Sequence, residues 1–330
     1  MLDARVEAAE TPRTLRPGLS QGDRAFRGLA TGSGILTLLL LVVIGAFLLL
    51  RSVPAFRSQG LRFFTNTQFN TTAGAPISFG VAAILFWTVV IAVIALVIAV
   101  PLSILAAVFL TEFAPRRVRK LLTTLVDLLA AVPSIIFGLW GLLVLQGQVV
   151  GTSGWLARHL SFLPFFDDGH PTTPNYTSSA LIAGMVVSLM VVPITTSVAR
   201  EVLSQAPLGE KEAALALGST RWGMVRTVCL PFARGGIIGG TMLGLGRALG
   251  ETIAVAVIIS PIFTIRPDIL SAGANGVAPL IALRFGVASQ DIGIPALMAA
   301  GLTLFALTLV VNFLASVVVA RSRSGAGVEL

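Results

Sequence analysis

The stretch Glu212–Pro231, EAALALGSTRWGMVRTVCLP, is a short mixed-charge segment in a chain otherwise dominated by long apolar runs. Pro207 precedes it, acidic residues stand in the first turn that follows, and alanine and leucine continue the pattern, which predicts a helix over 208–217. Gly218 can adopt the left-handed conformation that ends a helix, and the Ser-Thr pair after it can cap another. The sequence therefore predicts two short helices joined by a glycine elbow.

The composition of the whole chain excludes most soluble protein classes. Of 330 residues, 55% are hydrophobic and only 12% are charged, and several apolar runs exceed the ~20 residues that cross a bilayer as a helix. The single cysteine, Cys229, gives neither an intrachain disulfide framework nor a CxxC pair. The net charge of +8 is explained better by membrane topology than by nucleic acid. We expect an integral membrane protein, surrounded by lipid and without a nucleic-acid partner.

The apolar runs divide the chain into an all-α domain of six transmembrane helices over residues 28–320. The predicted spans are 28–50, 79–110, 121–145, 178–199, 235–260 and 295–320, with a long loop at 200–231 and polar tails at 1–27 and 321–330. The tails, the turn at 112–120 and the loop at 200–234 carry 16 Lys and Arg residues, against 6 in the three opposite loops. This asymmetry predicts cytoplasmic N and C termini.

Asp127 is a charged residue inside the third predicted span. It lies near the predicted cytoplasmic end of that span, close to a basic turn. A carboxylate there is expected to pair with one of the nearby cations, Arg116, Arg117 or Lys120, rather than to take part in transport.

The spacing of residues in the opening stretch resembles a family signature. An EAA triplet, a glycine four residues after it and a later Leu-Pro are similar to the EAA loop of bacterial ABC importer permeases, the cytoplasmic segment that docks on the ATPase subunit. The alternative is a generic amphipathic loop between membrane helices. The resemblance implies that the docking residues are Glu212, Ala213, Ala214, Gly218, Arg221, Leu230 and Pro231.

Motifs for catalysis are missing from the sequence. Lys120 and Lys211 are the only lysines, and neither follows the glycine-rich loop that cradles nucleotide phosphates. We therefore expect no cofactor and no metal in this chain, with ATP-Mg bound by a separate partner ATPase. Since no Ser-His-Asp arrangement is evident either, the chain is expected not to be an enzyme.

Arg247 and Glu251 lie inside the fifth predicted span, at the centre of the apolar run Gly235–Ser260. A cation at that depth costs roughly 3 kcal/mol even on lenient insertion scales. Glu251 is one helical turn further along on the same face and can pair with it. One interpretation is an anion translocation pathway lined by this pair. The other is an ion pair that only locks helices together.

Small residues recur through the same span. Glycines spaced four apart allow helix backbones to approach closely, so they predict a tightly packed central helix. Whether that helix also shifts during transport stays open at this point. The helix-packing candidates are Gly236, Gly240, Gly244, Gly246 and Gly250.

Further segments resemble the permeases of the bacterial Pst phosphate importers, specifically the PstC type, over nearly the whole chain. They are GDRAFRGLA at 22–30, VPLSILAAVFLTEFAP at 100–115, AAVPSIIFGLWGL at 130–142 and GRALGETIAV at 246–255. The resemblance implies a type I ABC importer permease in the bacterial inner membrane and places Arg247 and Glu251 at positions linked to phosphate passage. It also implies a PstA-type sister permease, two PstB-type ATPase subunits and a periplasmic PstS-type phosphate-binding protein. The poorest match is the loop at 147–176.

Two other functions remain compatible with the residues alone. Arg247 cannot by itself separate one tetrahedral anion from another, so a permease for sulfate or molybdate is the first alternative. The second is a membrane scaffold or sensory subunit that does not conduct.

Overall fold

The computed structural model describes residues 21–71, 76–169 and 172–323. The chain divides into two units, Met1–Phe47 and Leu48–Leu330. The described part of the first unit is helical, and its side chains from Gly22 to Phe47 are almost all exposed, as suits an apolar helix in lipid. The second unit contains the remaining elements and both candidate functional regions.

The described residues form thirteen α-helices. They are α1 Gln21–Gln59, α2 Arg62–Thr65, α3 Ala82–Val108, α4 Arg116–Ala130, α5 Ser134–Trp140, α6 Gln146–His159, α7 Ala180–Ser204, α8 Leu208–Ala216, α9 Arg221–Met224, α10 Leu230–Gly250, α11 Ile253–Ile258, α12 Val277–Arg284 and α13 Gly293–Arg323. Three π-helical turns, Phe109–Phe113, Gly141–Leu145 and Val225–Cys229, and one 3-10 turn, Phe285–Val287, extend or join them. Strands β1 Phe69–Asn70 and β2 Ser78–Phe79 pair antiparallel, with Phe69 opposite Phe79.

Six of the described helical segments are long and apolar enough to cross a membrane. They are Gly22–Gln59, Ala82–Phe113, Ser134–His159, Ala180–Ser204, Arg221–Gly250 and Gly293–Val319. The prediction of an all-α protein with six membrane helices is therefore confirmed. The sidedness of the termini is not fixed by the helices themselves and stays a prediction.

The third span differs from its predicted bounds of 121–145. Residues 116–130 instead form the separate helix α4, none of whose residues is buried, and the spanning segment begins at Ser134. Pro133 has no backbone N–H and disfavours helical geometry in the residue before it, so the chain breaks there. The sequence suggested one span because the apolar stripe of α4, which includes Leu121 and Leu125, runs directly into apolar α5.

Two other boundaries also move. The first helix continues past the predicted end at residue 50 to Gln59, through Pro54, and Ser52 and Ala55 in the added turns are fully buried. The fifth span begins at Arg221 and ends at Gly250 rather than covering 235–260. The second short helix predicted after the elbow is thus the first turn of a membrane helix.

The core of the second unit is built around α7. It packs most extensively against α3 and α10, and its candidate span is the most deeply buried of the six. Large buried side chains, among them Trp87, Ile182 and Ile258, fill the main apolar cluster. A separate cluster that includes Leu203 and Val225 lies where α3, α7 and α10 meet near the segment at 208–231.

Glycine lets α10 approach α7 closely. A Cβ on Gly236 would lie 2.4 Å from Val202 Cγ2, and one on Gly244 would lie 2.7 Å from Val191 Cγ1. Gly240 faces the same helix, with its nearest atoms at 3.0 Å. The other two glycines do not contact α7: Gly246 has only a distant neighbour in α13, and Gly250 has none within 4 Å. A role of these glycines in helix movement stays a prediction.

Replacing Gly236 with alanine should destabilise the protein. The added methyl group would overlap the Val202 side chain, and overpacking of this kind costs about 1–3 kcal/mol. The matched control is Gly239→Ala in the same helix, because a Cβ at Gly239 meets no atom within 4 Å. Thermal denaturation of the purified complex in detergent measures both variants. Equal melting temperatures for the two would contradict the close packing of α10 on α7.

Candidate functional site

The first candidate site is the segment at 208–231, where the predicted glycine elbow closes α8. Gly218 has φ +83, a left-handed conformation that costs little only for glycine. Its N–H donates to Leu215 O at 3.0 Å, and the Ser219 N–H donates to Ala214 O at 3.1 Å. This is the Schellman arrangement, which satisfies the last carbonyls of a helix. The elbow is therefore a fixed turn with defined hydrogen bonds.

The helix after the elbow begins with a side-chain cap. Thr220 Oγ1 accepts a hydrogen bond from the Gly223 N–H at 3.1 Å, which satisfies one of the free amides of the first turn. The chain then runs through the π-helical turn into α10, and Pro231, which has no backbone N–H to donate, stands just after that turn. The two short helices thus form a compact unit, which we call the knob (residues 208–231).

The predicted docking residues divide between the surface and the interior of the knob. Ala214 and Leu230 pack against the apolar cluster beneath it. The side chains left exposed are those of Glu212, Ala213, Arg221 and Pro231, together with Gly218 at the elbow. Large apolar side chains accompany them, with Leu217 89% and Leu208 74% exposed. Exposed apolar residues rimmed by charge are typical of a protein interaction surface.

An ion pair that the sequence did not reveal holds the knob on the transmembrane domain. Lys211 Nζ lies 2.7 Å from Glu112 Oε1, and the two side chains are only 13% and 12% exposed. Glu112 stands in the π-helical turn at the end of the second span, so the pair joins α8 to α3. The partners are 99 residues apart, and no local spacing rule connects them.

Asp127 has a different partner from the one predicted. Its Oδ1 lies 3.8 Å from an Arg200 guanidinium nitrogen, and this ion pair joins α4 to α7. The expected pairing with Arg116, Arg117 or Lys120 was wrong because Asp127 lies in the last turn of α4, whereas those cations lie in its first turns. Both side chains are partly exposed, so the pair contributes little to stability.

The second candidate site surrounds Arg247. Its guanidinium lines a cavity of about 500 Å³ together with residues of α7, α10 and α13: Ile194, Met242, Leu243, Gly246, Thr308 and Asn312. The Nε atom is buried and has no hydrogen-bond partner among the described residues. A buried donor without a partner is costly, so an acceptor bound at this position would stabilise the site.

The depth of this cavity follows from its neighbours. Arg247 stands near the end of α10, which by itself would suggest a position toward the membrane surface. However, Ile194 lies near the centre of α7 and Thr308 near the centre of the sixth span. Arg247 therefore shares its cavity with residues near the centres of two other membrane helices.

Glu251 does not continue the helix that carries Arg247. The helix ends at Gly250, and the backbone of Glu251 is extended, with φ −65 and ψ 125. The residue is 9% exposed, and its Oε1 accepts a hydrogen bond from the Ala254 N–H at 3.3 Å, in the first turn of α11. No ion pair within 4.0 Å joins it to Arg247. The expected pairing across one helical turn is therefore wrong, because the helix breaks between the two residues.

A third region is the segment before α7. Helix α6 runs to His159, so somewhat less than half of the loop predicted at 147–176 is helical. In the remaining part the Tyr176 hydroxyl donates to Asp168 Oδ2. Burial, followed by this hydrogen bond, raises the pKa of Tyr176 to about 12, so the phenol stays protonated at physiological pH. Among the residues that the structure describes, no group of three or more His, Cys, Asp or Glu side chains could hold a metal ion.

Comparison with known proteins gives a consistent assignment. The family described as binding-protein-dependent transport system inner membrane component matches residues 99–324. The phosphate transport system permease protein PstC 2 of Mycobacterium tuberculosis is 42% identical over 90% of this chain and 91% of its own length. PstC of Mycobacterium leprae is 43% identical over 86% and 87%, and PstC of Xylella fastidiosa is 38% identical over 92% of each chain.

A solved structure supports the fold. The crystal structure of a bacterial ABC transporter involved in the import of alginate aligns with a TM-score of 0.57 at 19% identity, over 90% of this chain and 99% of that one. Permeases of this kind are multi-pass inner-membrane subunits rather than enzymes, and they work with ATPase subunits and a substrate-binding protein. The chain belongs to the family of binding-protein-dependent transport system inner membrane components, together with the PstC phosphate transport permeases.

Proposed function

We propose that this chain is a permease subunit of an ABC importer that carries inorganic phosphate across the inner membrane. The observation that carries the proposal is Arg247, which lines a cavity between α7, α10 and α13 and whose buried Nε has no hydrogen-bond partner among the described residues. The names of the relatives add phosphate as the substrate.

A site that carries an anion through a membrane must replace the water molecules that hydrate the anion in solution. Phosphate carries one to two negative charges and loses water on entering a membrane, which is costly unless fixed donors or a cation take its place. A guanidinium offers planar paired donors that match phosphate oxygens. Glu251 is buried, lies close to Arg247 in the chain and accepts a hydrogen bond from the first turn of α11. Its negative charge limits the net positive field of the site, although it forms no direct ion pair that would neutralise Arg247.

The knob supports the proposed partners. Its exposed face is suited to contact with an ATPase subunit. Its elbow is fixed by backbone hydrogen bonds and a side-chain cap, and this rigidity would let movement of the ATPase be transmitted to the membrane helices. We propose that two PstB-type ATPases hydrolyse ATP-Mg, that a PstA-type permease completes the membrane domain and that a PstS-type protein delivers phosphate. This chain itself binds no nucleotide in this scheme.

Uptake of radiolabelled phosphate by a deletion strain, with and without this chain, tests the function. Restored uptake that depends on the partner ATPase is expected. Restored uptake of sulfate or molybdate instead would assign another oxyanion. Restored regulation without uptake of any of the three would identify a sensory or scaffold subunit and refute the proposal.

The predicted orientation has its own test. Cysteines at positions 20 and 324, in the two tails outside the described residues, should be shielded from an impermeant thiol reagent in intact cells. Thr173→Cys, in the exposed segment before α7, should label. Ser153 is unsuitable as the outside position because its side chain is fully buried. The background variant replaces Cys229, and labelling of either tail would reverse the topology and remove the docking role of the knob.

A further inference from the structure

The polar side chain of Asn312 is unusual among those of α13. Thr303, Thr308 and Ser316 each donate a hydrogen bond to a carbonyl of their own helix, at 2.9, 2.8 and 2.7 Å. Hydroxyl groups in membrane helices satisfy themselves in this way. The Asn312 carboxamide, by contrast, has no hydrogen-bond partner among the residues that the structure describes, and its side chain is exposed.

The position of Asn312 makes that exposure costly in lipid. It lies about 9 Å past the midpoint of the sixth span, within the ~15 Å half-thickness of the hydrocarbon core. A carboxamide at that depth that contacts neither protein nor water carries a large desolvation penalty. The side chain must therefore face either an aqueous path or another polar surface.

The surroundings favour the aqueous path. Asn312 lines the cavity that holds Arg247, and it also lines an adjoining cavity of about 500 Å³ that extends along α10 and α13 to Val319. Gly246 is a neighbour of Asn312 in this region, since Asn312 Oδ1 would lie 4.0 Å from a Cβ placed on that glycine. Asn312 therefore connects the Arg247 cavity to the next stretch of the same groove.

The chemistry of the two side chains is complementary toward one ligand. Arg247 supplies only donors and positive charge, whereas a carboxamide supplies two donors and an acceptor. Thr308, whose hydrogen is already given to Phe305 O, can offer only its lone pairs to the cavity. A tetrahedral oxyanion that carries both charged oxygens and a hydroxyl group can use this whole set.

We propose that Asn312 is a second ligand of the translocated oxyanion, which it meets beside Arg247 on the path between α10 and α13. The inference rests on the proposed function and deepens it. The competing role is helix contact with the sister permease, since asparagine also joins membrane helices. The two roles predict different effects on assembly and on transport.

The test measures phosphate uptake per assembled complex, with assembly quantified by co-purified ATPase and sister permease. Asn312→Leu should lower uptake by at least about tenfold, the effect of losing a hydrogen bond to a charged group, with assembly unchanged. Asn312→Gln keeps the carboxamide and should retain most uptake. Thr303 donates its hydroxyl only to Ala299 of its own helix and lines neither cavity. Thr303→Ala is therefore the matched control and should stay within about twofold of the unaltered protein, because a self-satisfied hydroxyl contributes little.

If Asn312→Leu prevents assembly, Asn312→Ser replaces it, because a serine there can satisfy itself as Ser316 does. Uptake per complex that neither variant lowers, with or without reduced assembly, would refute the ligand role and leave helix contact. Absence of phosphate uptake by the unaltered complex would instead refute the proposed function, and with it this inference.

Discussion

Arg247→Gln is expected to lower phosphate uptake on the order of 100-fold without loss of the assembled complex. The substitution removes the charge and most of the donors that replace the anion's hydration, and hydrogen bonds to charged groups are worth about 1.5–3 kcal/mol each. Arg247→Lys keeps the charge but loses the planar donors, so it should retain partial activity. The measurement is radiolabelled uptake normalised to the amount of complex.

The matched control is Arg234→Gln, an exposed arginine in the same helix, which should leave uptake nearly unchanged. The double variant Arg247→Gln with Glu251→Gln then distinguishes an anion translocation pathway from a pair of residues that only holds helices together. Because the two side chains form no direct ion pair here and Glu251 is bonded to α11, removing both charges should not restore uptake. Full uptake by the doubly neutral protein would show that the residues serve packing alone.

Gly218→Val should give the second large effect, an approximately tenfold or greater loss of ATPase association together with loss of uptake. Valine at φ +83 is strained by about 1–3 kcal/mol, and the strain is relieved only by moving α9 relative to α8. No atom lies within 4 Å of a Cβ built at this glycine, so the expected cause is backbone conformation and not steric overlap.

Gly209→Val provides the control for this prediction. Gly209 also has no atom within 4 Å of a Cβ, but it lies in the first turn of α8 with ordinary helical geometry. Membrane insertion should be normal for both variants, and co-purification of the ATPase should fall only for Gly218→Val. Co-purification that survives both Gly218→Val and Glu212→Lys unchanged would show that the knob is not the docking surface.

Several features of the protein depended on short-range sequence signals and were predicted from them. Long apolar runs required membrane helices, because backbone groups in lipid must be bonded within one segment. The elbow was predictable because a helix stop, a glycine and a hydroxyl cap follow one another directly between Leu217 and Thr220. In such cases the physical cause lies within a few residues of its effect.

The bounds of the third span were predicted wrongly because the apolar stripe of an amphipathic helix is followed directly by an apolar membrane helix. The stripe of α4 and the uniformly apolar α5 read as one span, although Pro133 separates them. A membrane helix is apolar all round, whereas α4 carries its charged residues on one side only. The total hydrophobicity of a window does not distinguish these two patterns.

The sequence by itself determined the class of protein, the number of spans and the knob, since these follow from local hydrophobicity and backbone preference. Only the tertiary structure decided that Lys211 meets Glu112, that Arg247 lines a cavity between α7, α10 and α13 without Glu251 as its partner, and that Asn312 lines the same cavity. Each of these depends on how α3, α7, α10 and α13 pack together. Packing is set by the fit of many side chains across distant segments, and no local pattern in the chain records it.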